Sequence, residues 1–125
     1  MFSANVKIDF NTLATSKRVE DRIYAAQLWL DEDVAKESNE FCPVDQGTLR
    51  NSVYRHSKFG SGLLKWVTPY ARRQYYGIKK DGSGFNYATV PNPKATSRWF
   101  EKAKTQHLSR WIQKVQDIIS GKWKP

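Results

Sequence analysis

The stretch RVEDRIYAAQLWLDEDV, residues 18–34, carries the most regular pattern of the chain. Its apolar residues recur at spacings of three and four: Val19, Ile23, Ala26, Leu30 and Val34. That spacing is typical of one face of a helix of about four turns. Thr15 and Ser16 offer an N-cap before it, and Cys42-Pro43 predicts where it ends.

The segments on either side of this helix predict a small sheet. Residues 4–10, ANVKIDF, alternate apolar and polar side chains, as a half-buried strand does. Residues 49–57 predict a second strand, which the glycine-rich tip at 59–62 joins to a third strand in LLKWVT, residues 63–68. Two strands around a Gly-Ser-Gly loop predict a β-hairpin.

The next segment, TPYARRQYYG at 68–77, predicts a short helix from Tyr70 to Tyr76 that stops at Gly77. The loop that follows, KKDGSG, is basic and rich in glycine. Residues 85–90 are expected to return to the sheet.

The last segment predicts a long helix. Asn92 is a suitable N-cap, Pro93 suits the first helical position, and the pattern runs to Ser120. A helix of that length is expected either to break near Thr105 or to reach beyond its own domain. The apolar stripe comprises Phe100, Ala103, His107, Trp111, Val115, Ile118 and Ile119. We therefore predict one α+β domain over residues 1–125: a small antiparallel sheet packed with an N-terminal helix and a long C-terminal helix, followed by a flexible basic tail at 121–125.

Charge is unevenly spread along the chain. The net charge is +9, but residues 1–41 carry −3 and residues 42–125 carry +12. Such a chain is steered toward polyanions or presents one face to an acidic neighbour. The mean hydropathy of −0.71 and the lack of a signal-peptide pattern predict synthesis in the cytoplasm and no membrane partner.

Catalytic and metal-binding patterns are weak. The single cysteine, Cys42, is better interpreted as a small, half-buried hydrophobe at a helix end than as a nucleophile. Neither His56 nor His107 has a second ligand at metal-site spacing in the sequence. No phosphate-loop, dinucleotide or zinc-protease motif is present. We expect no enzyme, no cofactor and no metal site.

Aromatic and cationic residues leave two functions open. Arg72 and Arg73 lie among tyrosines, and a basic groove with aromatic faces is how proteins hold single-stranded nucleic acid. Tyrosine and arginine are also enriched in the hot spots of protein interfaces. The same residues support both interpretations.

Three motifs in order carry a family resemblance: CPVDQGTLRNSVYRH at 42–56, VTPYARRQYYG at 67–77 and NPKATSRWFEKAKTQHLSRWI at 92–112. They resemble the minor capsid proteins of tailed phages that infect Gram-positive bacteria, which belong to the wider class of neck proteins (head–tail connector or tail-completion proteins). The resemblance covers roughly residues 4–120 and leaves the basic tail unexplained.

The resemblance implies a structural protein without catalysis. It implies a closed ring of about six or twelve copies in the virion neck, between the portal side of the capsid and the tail. Adjacent neck rings, whether connector, stopper or tail terminator, would be its further partners. The alternative is a small basic nucleic-acid-binding protein that acts alone.

Candidate site residues follow from this interpretation. We expect the subunit and partner interface to use Asp31, Glu32, Asp33, Arg50, Tyr70, Arg72, Arg73, Gln74, Tyr75, Tyr76, Trp99, Trp111 and Trp123. In particular, the acidic side of the first helix is expected to be solvated or to meet cations of the next subunit. Lys58, Lys79 and Lys80 are candidates for non-specific contact with packaged DNA in a ring channel.

Overall fold

A computed structural model of the protein describes residues 1–9, 16–43, 48–77 and 94–122. Along the chain lie β1 (Phe2–Asn5), α1 (Lys17–Asn39), α2 (Thr48–His56), β2 (Leu63–Trp66), α3 (Ala71–Tyr76) and α4 (Trp99–Ser120). Within these ranges, a two-stranded antiparallel sheet packs among four helices, and the long helices α1 and α4 pack against each other. The predicted α+β class is confirmed. The predicted strand at 85–90 lies outside the described residues.

Helix α1 forms where its apolar spacing predicts. The hydroxyl oxygen of Ser16 accepts the backbone amide of Val19 at 3.2 Å, so Ser16 is the N-cap. Glu20 stands in the first turn, where a carboxylate is favoured by the helix dipole. The face that includes Leu30 and Val34 is buried against the rest of the protein.

The sheet is placed differently from the prediction. β1 runs antiparallel to β2, with Phe2 opposite Trp66 and Ala4 opposite Leu64. The predicted strand at 4–10 is therefore wrong by several residues. The reason lies in the hydrogen-bond partners after β1, which come mainly from helix α1.

Gln27 of α1 takes over the pairing of the chain beyond β1. Its side-chain oxygen accepts the amide of Ile8 at 2.8 Å, and its side-chain nitrogen donates to the carbonyl of Val6 at 3.1 Å. Val6 still donates to the carbonyl of Gly62 at 2.7 Å. Exposed and partly buried side chains thus still alternate past Asn5. The backbone there is bound mainly by the side chain of Gln27 rather than by a neighbouring strand.

The predicted strand at 49–57 is wrong, because this segment is helix α2. Leu49, Ser52 and Val53 form its buried side, which is helical spacing rather than alternation. The hydroxyl oxygen of Ser52 accepts the amide of Val67 at 3.0 Å, and that of Ser57 accepts the amide of Lys65 at 2.9 Å. These hydroxyls bind backbone amides that the second strand of a hairpin would otherwise have bound.

Helix α4 begins later than predicted. Lys94 to Arg98 are not helical, and Arg98 adopts a left-handed backbone conformation with φ 52°. The amide of Arg98 donates to the carbonyl of Tyr75 at 2.6 Å, which ties the start of α4 to the end of α3. The helix then runs unbroken through Thr105 to its predicted end, where Gly121 is the left-handed C-cap.

An aromatic cluster joins the sheet to α3 and α4. Phe2 stacks on Tyr75, Tyr75 meets Trp99 edge-on at 4.7 Å between ring centroids, and Trp66 meets Trp99 at 6.1 Å. Such pairs contribute about 0.5–1.5 kcal/mol each beyond their buried area. None of the described helices has the length and hydrophobicity that crossing a membrane requires.

Candidate assembly surface

Helix α3 presents a tyrosine–arginine surface, which we define as Tyr70, Arg72, Arg73 and Tyr76. Ala71 and Tyr75, four positions apart, point into the core and are fully buried. The four surface residues are exposed, and Tyr70 is 61% and Tyr76 40% exposed. A short helix anchored by one buried face therefore displays two aromatic rings and two guanidinium groups.

The C-terminal end of α3 is fixed by two contacts. Gly77 is a left-handed C-cap, and its amide donates to the carbonyl of Arg73 at 2.8 Å. The guanidinium of Arg98 lies over the ring of Tyr76, 5.1 Å from its centroid. This cation–π contact adds a third positive charge to the surface. The arrangement is suited to binding a partner without first becoming ordered.

A second surface is an apolar groove between α4 and the extended chain that follows β1. Its cavity volume is about 640 Å³. Leu30 and Val34 of α1 line it on one side, and Leu108 and Ile112 of α4 line it on another. Within the part of the chain that the structure describes, Leu108 and Ile112 remain 40% and 48% exposed. Exposed apolar surfaces of this kind mark binding sites.

Sequence reasoning missed this groove. The predicted stripe on α4 omitted Leu108 and Ile112, which follow Lys104 at successive spacings of four. Together with the predicted stripe, these residues make the apolar face of α4 wider than the surface that one packed helix covers. That width was the signal in the sequence.

The acidic cluster of α1 does not form one solvated surface. Asp31 is fully buried, so the expectation that it faces solvent or a partner is wrong. Asp33 is half-buried, and its Oδ2 accepts a hydrogen bond from Arg110 at 2.7 Å and one from the indole of Trp111 at 3.0 Å. Glu32 alone of the three is exposed. The cluster serves mainly contacts within the chain.

Several other candidate residues also serve the fold. Arg50 binds the carbonyl of Asn39 through two nitrogens, at 3.1 and 2.9 Å. Tyr75, Trp99 and Trp111 are buried, and Gln74 is half-buried. Their burial explains why tyrosine and tryptophan content alone does not identify an interface.

The candidate DNA contacts are only partly described. Lys58 is exposed beside the loop at 59–62. Lys79, Lys80 and Trp123 lie outside the described residues. Their assigned roles stay predictions.

Cys42 is more deeply buried than the sequence suggested. Its side chain is inaccessible, and burial raises the pKa of the Cys42 thiol far above its usual value, while the positive charge of Arg50 acts in the opposite direction. The thiolate is the nucleophilic form, so the position is unsuited to covalent catalysis. The interpretation as a small hydrophobe near the end of α1 is confirmed.

A small α+β scaffold with an exposed tyrosine–arginine surface and an open apolar groove has the features of a protein that works by contact with other macromolecules. Residues 4–118 match the Minor capsid protein family, and the chain belongs to that family of phage structural proteins. Its role is therefore a structural one, in the virion. No curated protein and no solved structure matches the chain.

Proposed function

We propose that this chain forms a closed ring in the virion neck, where it joins the head to the tail or completes that connection. In this ring, the tyrosine–arginine surface of one subunit packs into the apolar groove of the next. The observation that carries the proposal is the presence of an exposed tyrosine–arginine surface and a separate apolar groove on one chain of a minor capsid family.

Two different surfaces are what a ring contact needs. A head-to-tail interface joins non-identical patches, and a ring forms when the rotation between subunits closes. The tyrosine–arginine surface is exposed on α3, whereas the groove is concave and lies along α4. None of the four residues of the first surface lines the second. One subunit can therefore use both at once.

A second copy is the occupant that suits the groove. A cavity of about 640 Å³ is large enough for aromatic side chains, and Tyr70 and Tyr76 are exposed aromatic residues that such a contact would bury. Lys7 and Lys104 line the groove together with Asp9, so its charges do not favour the arginines that accompany those tyrosines. The acid-to-base pairing expected from the sequence is thus replaced by a mainly aromatic contact.

Disulfide trapping tests the contact directly. In a Cys42→Ala background, Tyr76→Cys and Ile112→Cys together are expected to give intermolecular disulfides and a ladder of oligomers under oxidation. The matched control pairs Ile112→Cys with Tyr54→Cys, because Tyr54 is similarly exposed but lies on α2. Equal trapping in the two pairs, or none in the first, would rule out this contact.

Complementation tests the role in the neck. Phage that lacks this chain is expected to give separate heads and tails, and the wild-type chain supplied in trans should restore joined particles. Ile112→Glu places a charge in the groove and should leave most particles unjoined, while Tyr54→Ser should restore joining. Joined, infectious particles made without the chain would refute the proposal.

The nucleic-acid alternative makes a different prediction for the purified chain. A single-strand binder would shift an oligonucleotide at low micromolar concentration, with an affinity that falls steeply as salt rises. For a neck subunit we expect weak binding. Tight binding that Arg72→Glu with Arg73→Glu abolishes, while virion joining persists, would favour the alternative.

A further inference from the structure

Three potential metal ligands meet where the end of α1 faces the middle of α4. Glu37 lies in the last turn of α1, Glu40 is its C-cap, and His107 comes from α4. One ligand atom from each lies within 4.8 Å of the other two, and all three residues are partly buried. We propose that Glu37, Glu40 and His107 bind a divalent transition-metal ion such as Zn²⁺.

The ligand atoms of His107 and Glu37 lie at nearly the distance expected of two atoms that bind one metal ion. Nε2 of His107 lies 3.1 Å from Oε2 of Glu37. The same nitrogen is buried and makes no hydrogen bond within the described part of the chain, so the two atoms are close without being aligned as donor and acceptor. Two tetrahedral ligands of zinc, each about 2.0–2.2 Å from the metal, lie about 3.4 Å apart.

The third ligand needs only a small movement. Atoms that share one zinc ion at about 2.1 Å can be no more than about 4.2 Å apart. The ligand atoms here lie up to 4.8 Å apart, which exceeds this limit by less than about 1 Å. Rotation of the Glu40 side chain supplies such a shift without moving a helix.

Arg110 holds Glu37 in a ligating orientation. Its Nη2 binds the other carboxylate oxygen of Glu37, Oε1, and also Oδ2 of Asp33. Metal-binding carboxylates are commonly fixed in this way by a hydrogen bond to a second residue. Arg110 is thus a positioning residue, and Oε2 of Glu37 is left directed toward His107.

The ligand set favours zinc and its transition-metal neighbours. Mg²⁺ and Ca²⁺ prefer ligands that are all oxygen, whereas an imidazole nitrogen suits Zn²⁺, Co²⁺ or Ni²⁺. Three protein ligands also leave a coordination position for water or for a group from a neighbouring molecule. Because the ligands come from α1 and α4, bound metal would stabilise the packing of these two helices.

The simpler interpretation is an ion-pair network without metal, and titration separates the two. The untagged full-length chain is titrated with ZnCl₂ by calorimetry, and Co²⁺ is used as a coordination probe by visible absorption. We expect one equivalent of zinc to bind and to raise the melting temperature, with no such effect of Mg²⁺. Co²⁺ should give the ligand-field bands of a bound ion.

Matched variants identify the site. His107→Gln keeps a polar side chain, and Glu40→Gln removes one carboxylate near the end of α1; each should weaken zinc binding at least about tenfold. His56→Ala is the control, since His56 is exposed on α2, and it should bind zinc as the wild type does. Circular dichroism of each variant confirms that the fold persists.

Three results would overturn the proposal. The first is no zinc binding by the wild type at about 100 µM free metal, a concentration at which a site of useful affinity is filled. The second is binding that His107→Gln and Glu40→Gln leave unchanged. The third is loss of binding in His56→Ala, which would place the metal on α2.

Discussion

The carboxylate of Asp31 accepts the backbone amide of Gly62 at 2.9 Å, which fixes the middle of α1 to the residue before β2. The same oxygen accepts the amide of Gly60 at 2.8 Å, and the other oxygen accepts a side-chain hydrogen of Gln27 at 2.8 Å. Gln27 also binds the chain after β1. The two buried polar side chains Gln27 and Asp31 of α1 therefore hold the end of β1 and the start of β2.

Asp31→Ala is expected to destabilise the protein strongly. The change leaves two loop amides without their acceptor, the buried amide of Gly62 and the part-buried amide of Gly60, and a buried group of this kind costs about 1–3 kcal/mol. We expect a loss of about 3 kcal/mol in the free energy of unfolding, measured by urea denaturation. Glu32→Ala, at the exposed neighbouring position, is the control and should change stability by less than about 0.5 kcal/mol. Similar losses in the two variants would contradict this role of Asp31.

Gly62→Ala tests how closely the chain after β1 approaches this loop. An added Cβ would lie 2.7 Å from the Cα of Lys7, and the backbone φ of +80° already disfavours a side chain. Gly121→Ala is a matched control, because it has the same φ but would meet only the end of the flexible Arg22 side chain. We expect Gly62→Ala to lower the melting temperature clearly more than Gly121→Ala does. Equal shifts would mean that the backbone conformation, and not the contact with Lys7, dominates.

The elements that sequence could predict are those whose pattern is local. The apolar spacing of α1 with its Ser16 cap, the β2 strand, and the short helix α3 ending at Gly77 all match the structure. Each depends on residues within a few turns of one another. The fold class followed from them.

The errors occurred where distant residues decide the structure. Asp31 belongs to a cluster that looks solvated, and only its partners about thirty positions later, Gly60 and Gly62, explain its burial. Residues 49–57 are a different error, because the helical spacing of Leu49, Ser52 and Val53 is local and only the serine contacts with the edge of β2 are distant. The local pattern of a single sequence does not show these contacts between distant residues. The proposed ligand set of Glu37, Glu40 and His107 also depends on distant residues, because its members come from two helices that meet only in the fold.

Arg50→Lys should distinguish a role in the fold from a role in the interface. Arg50 binds the carbonyl of Asn39 through two nitrogens, a geometry that lysine does not reproduce. The side chain of Asn39 in turn donates through its nitrogen to the carbonyl of Arg50 and accepts the indole hydrogen of Trp66 through its oxygen. We expect Arg50→Lys to lose about 1–2 kcal/mol of unfolding free energy. Arg72→Lys, on the exposed side of α3, should lose less than about 0.5 kcal/mol.

The same pair of variants makes an opposite prediction for assembly. At a temperature where both are folded, Arg72→Lys should weaken the trapped contact between copies more than Arg50→Lys does. A larger assembly defect in Arg50→Lys would restore Arg50 to the interface predicted from the sequence.

Cys42 gives a direct report on unfolding because it is the single cysteine of the chain. Its side chain is fully buried, and burial raises the pKa of the thiol, so the native chain should not react with a thiol reagent at pH 8. Unfolding in urea should expose one reactive thiol per chain. Rapid labelling of the native protein would show that the region around the end of α1 opens readily.

The raised pKa of the Cys42 thiol also gives a sign for the pH dependence of stability. Above the usual thiol pKa of 9.0, the unfolded chain loses this proton while the folded chain keeps it. The unfolded state then binds fewer protons, so the free energy of unfolding should fall by up to about 1.4 kcal/mol per pH unit from this group. Cys42→Ala removes that contribution, and its unfolding free energy should decline less steeply between about pH 9 and 10.5 than that of the wild type. Parallel slopes for the two proteins would mean that the thiol is solvated in the folded state. In that case the native wild-type protein should also react rapidly with the thiol reagent.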